Sequence, residues 1–230
     1  MKLPHREAHH IFKVLRGRKG DAIEVVDAGR RLFLARLLGE NEVEVVEGVK
    51  GGGHHRGFVR IYQAVPKGSH MDLLVEKATE LGADEIVPLV SARVVVGVEA
   101  IRRKLSRWRK VAESAARQSL QLRIPEVREP VSFEEALRET DGWGVLLHNE
   151  GGLAPIEEPV AQKKEVGLLV GPEGGWSKTE IETARVSGVP LASLGPYRLR
   201  SETAGVVAVA RARAALDNAG KERYEQDCEV

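Results

Sequence analysis

Residues 165–180 read EVGLLVGPEGGWSKTE. An apolar run of strand length enters a Gly-Pro-Glu-Gly-Gly turn. Ser177 with Glu180 then gives the S-x-x-E pattern of a capping box, which opens a helix. A strand without polar alternation is one covered on both faces, as in a parallel sheet flanked by helices. GWGVLLH (142–148) repeats the pattern, and PLASLG (190–195) again ends in Gly-Pro before a helix over 201–218 that is expected to stop near Gly220. Upstream, FVRIYQAV (58–65) and DEIVPLV (84–90) read as strands. Between them, His70 to Leu81 has an apolar helical face closed by Gly82. Residues 99–121 predict a long helix with Ile101, Leu105, Trp108, Ala112 and Ala115 on one side. Ser132 with Glu135 forms another capping box. Strands alternating with helices predict an α/β fold with a mostly parallel, doubly wound sheet.

The first residues read differently. DAIEVVD, RLFLARLL and EVEVVEG, within 21–49, are short β-branched runs, and Asp27-Ala28-Gly29 is a plausible turn. KGGGHHRG (50–57) reads as a glycine-rich linker. The boundary is expected near residue 70. Residues 1–69 would form a small antiparallel sheet or barrel, and residues 70–230 the α/β domain.

Composition narrows the classes. The chain has 230 residues, 42% of them apolar, and a formal net charge of +1. The charge is uneven: residues 1–70 carry 13 basic and 8 acidic groups, and residues 131–230 carry 11 and 17. One cysteine, Cys228, excludes an internal disulfide framework and a cysteine-rich zinc site. Adjacent histidines at 9–10 and 54–55 make poor metal pairs, and no HExxH spacing occurs, so no metal is expected. No apolar run approaches the ~20 residues needed to span a bilayer. The charged start does not read as a signal peptide, so no membrane partner and a cytoplasmic location are expected.

Three stretches could carry chemistry. VGPEGGWSKTE (170–180) lets backbone approach a ligand at a strand's carboxyl end, although a simple tight turn would use the same glycines. It is neither GxGxxG nor GxxxxGK[ST], which disfavours a nucleoside triphosphate. LGPYRLRSETAGVVAVA (194–210) gathers Arg198, Arg200, Ser201, Glu202 and Thr203 at a helix entrance. Capping would explain Ser201 and Glu202. It would not explain two arginines at a positive helix end, which an anionic ligand would offset. In the third stretch, six of the nine residues 102–110 are basic. They form either a solvated helix face or a phosphate-binding stripe.

Taken together, HHIFKVLRGRKGD (9–21), EKATELGADEIVPL (76–89), RWRKVAESAARQS (107–119), VGPEGGWSKTEIE (170–182) and LGPYRLRSETA (194–204) resemble the RsmE-type 16S ribosomal RNA uridine-N3 methyltransferases of the SPOUT superfamily. Two departures stand out. Ser201 replaces the usual Thr but keeps the hydroxyl. Ala116-Arg117 stands where Glu-Gln is common.

The resemblance implies an N-terminal PUA-like β-barrel that binds RNA and a C-terminal SPOUT domain with a trefoil knot. It also implies a homodimer acting on 16S rRNA or the 30S subunit, with S-adenosylmethionine held in the knotted loops. The cofactor residues it implies are Leu147, Leu169, Gly171, Pro172, Glu173, Gly174, Gly175, Leu194, Gly195, Leu199, Arg200, Ser201, Thr203 and Ala204. Arg200 would stabilise a uracil anion, and Glu202 would orient Arg200 or accept the proton. Arg16, Arg18, Arg102, Arg103, Arg107 and Arg109 would contact RNA phosphates. A same-fold methyltransferase for another nucleotide and a non-catalytic ribosome-assembly protein are the rival readings.

Overall fold

The computed structural model describes residues 1–27, 31–39, 41–49, 57–161 and 163–227. Contacts divide the chain into two units. The first is Met1–His54 with Gln118–Arg123, and the second is His55–Arg117 with Ile124–Val230. Of the expected linker at 50–57, residues 50–56 lie outside the described residues, as do the turn residues 28 and 29.

The first unit opens with a short helix α1 (His5–His9) that continues as a π-helical turn over His10–Val14. Sequence reading missed both. Arg16 then adopts φ 57°. Strands β1 (Ala22–Val26), β2 (Leu32–Gly39) and β3 (Glu42–Gly48) form an antiparallel sheet in that order. Lys2 adds a bridge to Glu42. Alternation along the strands turns Ala35, Leu37 and Val43 inward, where Leu3, Ile11, Phe12, Ile23 and Val25 pack on them.

The second unit contains β4 (Phe58–Ala64), α2 (His70–Glu80), β5 (Glu85–Val90), α3 (Val98–Gln118), β6 (Glu126–Val127), β7 (Val131–Ser132) and α4 (Phe133–Glu139). It continues with β8 (Gly144–Leu147), α5 (Glu157–Ala161), β9 (Glu165–Val170), α6 (Lys178–Val186), β10 (Leu191–Ala192) and α7 (Ser201–Asp227). The sheet order is β10-β8-β9-β4-β5-β6, with β7 also on β5, and every pair is parallel. The boundary expected near residue 70 therefore moves. β4 is hydrogen-bonded to β5 on one side and β9 on the other, so it belongs to the parallel sheet.

Helices cover both faces. Val59 and Ile61 of β4 pack with Leu74 and Val75 of α2, Ile101, Leu105 and Trp108 of α3, and Val209 and Ala212 of α7. Tyr62, Leu146 and Leu169 face the other way, onto Phe133 and Leu137 of α4 and Ala184 of α6. Both predicted capping boxes form, at Ser132/Glu135 and Ser177/Glu180. The last strand is shorter than expected. After Ala192 the chain makes one bridge from Ser193 to Pro155 and turns away at Gly195, φ 121°. The last helix is longer, because a single glycine at 220 weakens a helix without ending it. No helix among the described residues is long and apolar enough to cross a membrane.

At the amino ends of the strands, α7 is pinned by Arg213, which is only 4% exposed. Its guanidinium donates to the carbonyls of Gly82 (2.7 Å) and Gly57 (3.0 Å) and pairs with Asp84. Nearby, Arg60 pairs with Glu85 at 2.5 Å, and Arg128 holds Glu139 with two bonds of 2.9 and 3.1 Å. The Tyr62 hydroxyl donates to the same Glu139 carboxylate at 2.7 Å. Burial raises the Glu139 pKa, but the Arg128 and Tyr62 hydrogen bonds and the neighbouring arginines outweigh it, so the carboxyl sits below its ordinary range. A lowered folded value stabilises the protein above the unfolded pKa of about 4.3, and that stabilisation is lost as pH falls through the folded value. Glu139→Gln should therefore be less stable than the parent at pH 7. The difference should shrink on acidification below about pH 4, as read by urea unfolding at each pH; a gap independent of pH would remove Glu139 from the acid response.

Candidate active site

The order of the sheet reverses beside β4: β5 lies on one side, and the chain returns to place β9 on the other. Crevices at the carboxyl ends of strands near such a reversal are where α/β sheets bind ligands. A cavity of about 280 Å³ opens there. Its lining comes from the ends of β8, β9 and β10 and from the start of α7.

Glycine is required at this site for two different reasons. Gly171 needs space: a Cβ there would lie 3.1 Å from the Trp176 ring. Gly175 and Gly195 need conformation, with φ of 68° and 121° and no neighbour within 4 Å of an added Cβ.

Trp176 is 4% exposed and forms the floor between the two glycine loops. Its indole donates to the Leu147 carbonyl at 2.9 Å, and its ring packs on Phe133 at 5.3 Å between centroids. The Ser201 hydroxyl donates to the Gly171 carbonyl at 2.6 Å, a contact that capping of its own helix does not account for. Glu173 accepts the Lys67 backbone N–H at 2.9 Å, and Arg93 donates to the Gly174 carbonyl at 2.6 Å. The glycine loop is therefore tied to the segments after β4 and after β5.

Of the sequence-derived cofactor residues, the cavity brings together Leu147, Gly171, Pro172, Glu173, Gly174, Gly175, Leu194, Gly195, Leu199, Ser201 and Ala204. Leu169 differs from expectation, because strand alternation buries it against the α4 and α6 face. Arg200 and Thr203 are exposed and do not line the cavity. Glu202 is also absent from the lining, and it does not pair with Arg200. Its carboxylate, 7% exposed, lies 3.3 Å from Nδ1 of His70. Arg93, Asn149, Trp176, Tyr197 and Arg198 also line the cavity. Arg93 had no signal in the sequence, since only the fold brings the loop after β5 to Gly174. Trp176 and Arg198 lay inside the quoted motifs.

The basic helix has the expected polarity: Ile101, Leu105, Trp108, Ala112 and Ala115 are buried. Most of its cations are already engaged. Arg102 pairs with Glu99 at 2.7 Å, Arg107 with Asp72 at 2.6 Å, and Arg109 with Glu129 at 3.2 Å. Lys104 reaches the Gly68 carbonyl at 3.3 Å. Arg103, Arg107 and Lys110 form a shallow groove with Ser106 and Ser114. In the first unit, Arg16 and Arg18 are exposed beside the π-helical turn. Among the described residues no cluster of His, Cys, Asp and Glu could hold a metal ion.

The RNA methyltransferase domain family matches residues 55–213. This chain belongs to that RNA methyltransferase family. The RNA methyltransferase PUA domain matches residues 3–47. The start of the methyltransferase match agrees with the division of the structure after His54. Among relatives, the ribosomal RNA small subunit methyltransferase E of Mycobacterium bovis is 34% identical over 223 residues, covering 88% of this chain and 82% of its own. Its counterpart in Synechocystis sp. is 31% identical over 220 residues, covering 92% and 72%. The crystal structure of the Neisseria gonorrhoeae ribosomal RNA small subunit methyltransferase E, bound to S-adenosyl methionine, has a TM-score of 0.78 at 27% identity and covers 93% of this chain and 91% of that one.

Within this methyltransferase domain the Gly171–Trp176 contact is directly testable. Gly171→Ala should push the indole off the Leu147 carbonyl. Overpacking of this kind costs about 1–3 kcal/mol, or roughly 3–10 °C in melting midpoint. Near-UV circular dichroism should change with it; an unaltered spectrum and midpoint would mean the loop absorbs the methyl group freely.

Proposed function

We propose that this chain transfers a methyl group from S-adenosylmethionine to N3 of a uridine in the 16S rRNA of the small ribosomal subunit, as a cytoplasmic homodimer. The observation that carries the reading is the cavity built from both glycine loops, with Arg93 and Arg198 in its lining. It occurs in a chain that matches small-subunit rRNA methyltransferases over most of its length. The PUA match over residues 3–47 supports RNA as the substrate class. The knot expected from the resemblance belongs to the same proposal. It is supported by the route of the chain, which leaves the sheet edge at β10 and returns past β8 and β9 to bond Gly171.

The cavity suits a small, partly polar cofactor. Its volume is near the lower end of the ~300–1,000 Å³ usual for such sites. Leu147, Val170, Leu194 and Leu199 offer apolar walls, and Gly171 to Gly175 offer backbone. When bound, S-adenosylmethionine supplies an electrophilic methyl group on a sulfonium. Positioning is then most of the protein's task. Glu173, fixed by the Lys67 N–H, puts a carboxylate on the wall. Uracil N3 must lose its proton to attack. Arg200, which makes no ion pair among the described residues, offers a planar fork of donors to the anion that forms. Glu202 receives the proton in this scheme, with the His70 ring 3.3 Å from its carboxylate. Arg16, Arg18 and the α3 groove contact phosphates.

Arg200→Ala should lower single-turnover methylation of small-subunit rRNA by about 10²–10³ at saturating cofactor, with cofactor affinity changed far less. Lysine should rescue poorly because it lacks the fork. A normal rate at saturating cofactor would end the catalytic assignment of Arg200. No methyl transfer by the parent to any rRNA would instead favour the assembly-factor reading.

For RNA affinity, Arg103 and Lys110 are cleaner probes than Arg107, which already neutralises Asp72. Reversing both to Glu should weaken binding across sequences and flatten the logarithmic salt dependence by about two units. A salt slope equal to the parent's would make α3 a solvated face.

A further inference from the structure

Gln63, on the last turn of pleat in β4, is fully buried although it is a primary amide with four hydrogen-bonding positions. Its amide nitrogen donates to the Ala64 carbonyl at 3.0 Å and to the Ser201 hydroxyl at 2.8 Å. The Ala64 carbonyl can only accept, so the nitrogen must face this side, and Ser201 must be the acceptor from Gln63. A serine hydroxyl has one proton. With its oxygen already accepting from Gln63, that proton is directed to the Gly171 carbonyl, 2.6 Å away.

Two unfavourable features accompany this arrangement. The Gln63 amide oxygen is buried with no hydrogen-bond partner. The residue against it on α7 is Gly205, inside a helix, where glycine is unfavourable. A Cβ at 205 would collide with that amide oxygen and with Leu74. A leucine at 63 would fill a similar volume without burying an unpartnered oxygen, so packing alone gives no reason for the amide.

We infer that Gln63 is a positioning residue for the cofactor loop: it sets the direction of the Ser201 proton and thereby holds the Gly171–Pro172 peptide in its ligand-ready orientation. Gln63 lines no part of the cavity and acts only through Ser201. One hydroxyl thus joins β4, the loop after β9 and the start of α7. The inference rests on the reading above that the cavity takes S-adenosylmethionine.

The test is calorimetry of S-adenosylmethionine binding to the full chain, well below the melting midpoint of each variant. Gln63→Leu should weaken binding by about tenfold or more, equivalent to one factor of ten in Kd. Ser201→Ala, a smaller change, should do the same and keeps the test available if the leucine variant does not fold. Ser201→Thr, which retains the hydroxyl, should bind within about threefold of the parent. The double variant Gln63→Leu/Ser201→Ala should be no weaker than either single one, because both remove one coupled unit. A general loss of stability would lower the midpoint but leave affinity in the folded protein unchanged, and would not be rescued by threonine. Parent-like affinity in a folded Gln63→Leu or Ser201→Ala protein, or additive losses in the double variant, would overturn the inference while leaving the cofactor site standing. A parent that does not bind S-adenosylmethionine would overturn the cofactor reading and this inference with it.

Discussion

Helix α7 is fixed at two places, and the methyltransferase unit depends on both. Toward the amino ends of the strands, the buried Arg213 guanidinium must find partners, and it finds the Gly57 and Gly82 carbonyls and Asp84. At the carboxyl ends, Ser201 bonds the Gly171 carbonyl. Twelve residues separate the two anchors, about 18 Å of helix at 1.5 Å per residue. Strand β4 between them spans about 20 Å. The helix therefore matches the width of the sheet, and anchoring one end determines where the other must fall. Removing Arg213 would take the donor from the Gly57 and Gly82 carbonyls and leave the partly exposed Asp84 with the Val59 N–H in place of an ion pair.

The cavity follows from that bracing. The glycine loops supply backbone, but backbone loops alone hold no fixed shape. Here the loop after β9 is fastened by Ser201, by Arg93 through the Gly174 carbonyl and by Lys67 through Glu173. Trp176 closes the floor by bonding the carbonyl at the end of β8. The fastenings come from the segments after β4 and β5, from the end of β8 and from the start of α7. The glycines are not interchangeable either: Gly171 and Gly205 give way to neighbouring side chains, whereas Gly175 and Gly195 satisfy backbone angles.

Much of the second unit was legible in the sequence because its signals are local. The apolar strands, the two capping boxes and the buried stripe of α3 depend on residues a few positions apart, and all appear where the pattern indicates. Legibility failed where distant contacts decide. β4 lies beside a glycine-rich stretch and reads as the tail of the first unit, yet its pairing partners are 25 and more than 100 residues away. Ser201 reads as a helix cap, since nothing in its neighbours announces the Gly171 carbonyl. Arg93 carries no motif at all. The π-helical turn at His10–Val14 has no periodic signature distinct from an ordinary helix. Leu169 immediately precedes the loop Val170 to Trp176 that lines the cavity, and only the alternation of β9 assigns its side chain to the opposite face.

The return of α7 has a temporal consequence. This helix is synthesised after every strand of the sheet, and its first residue completes the cavity wall. While the ribosome is still making the last strands, the loop after β9 can exist but lacks the hydroxyl that fastens it. The nascent polypeptide is therefore incompetent for its small ligand until α7 has left the exit tunnel and docked. At ~5–20 residues per second, the sheet has only seconds of head start before that closing segment arrives.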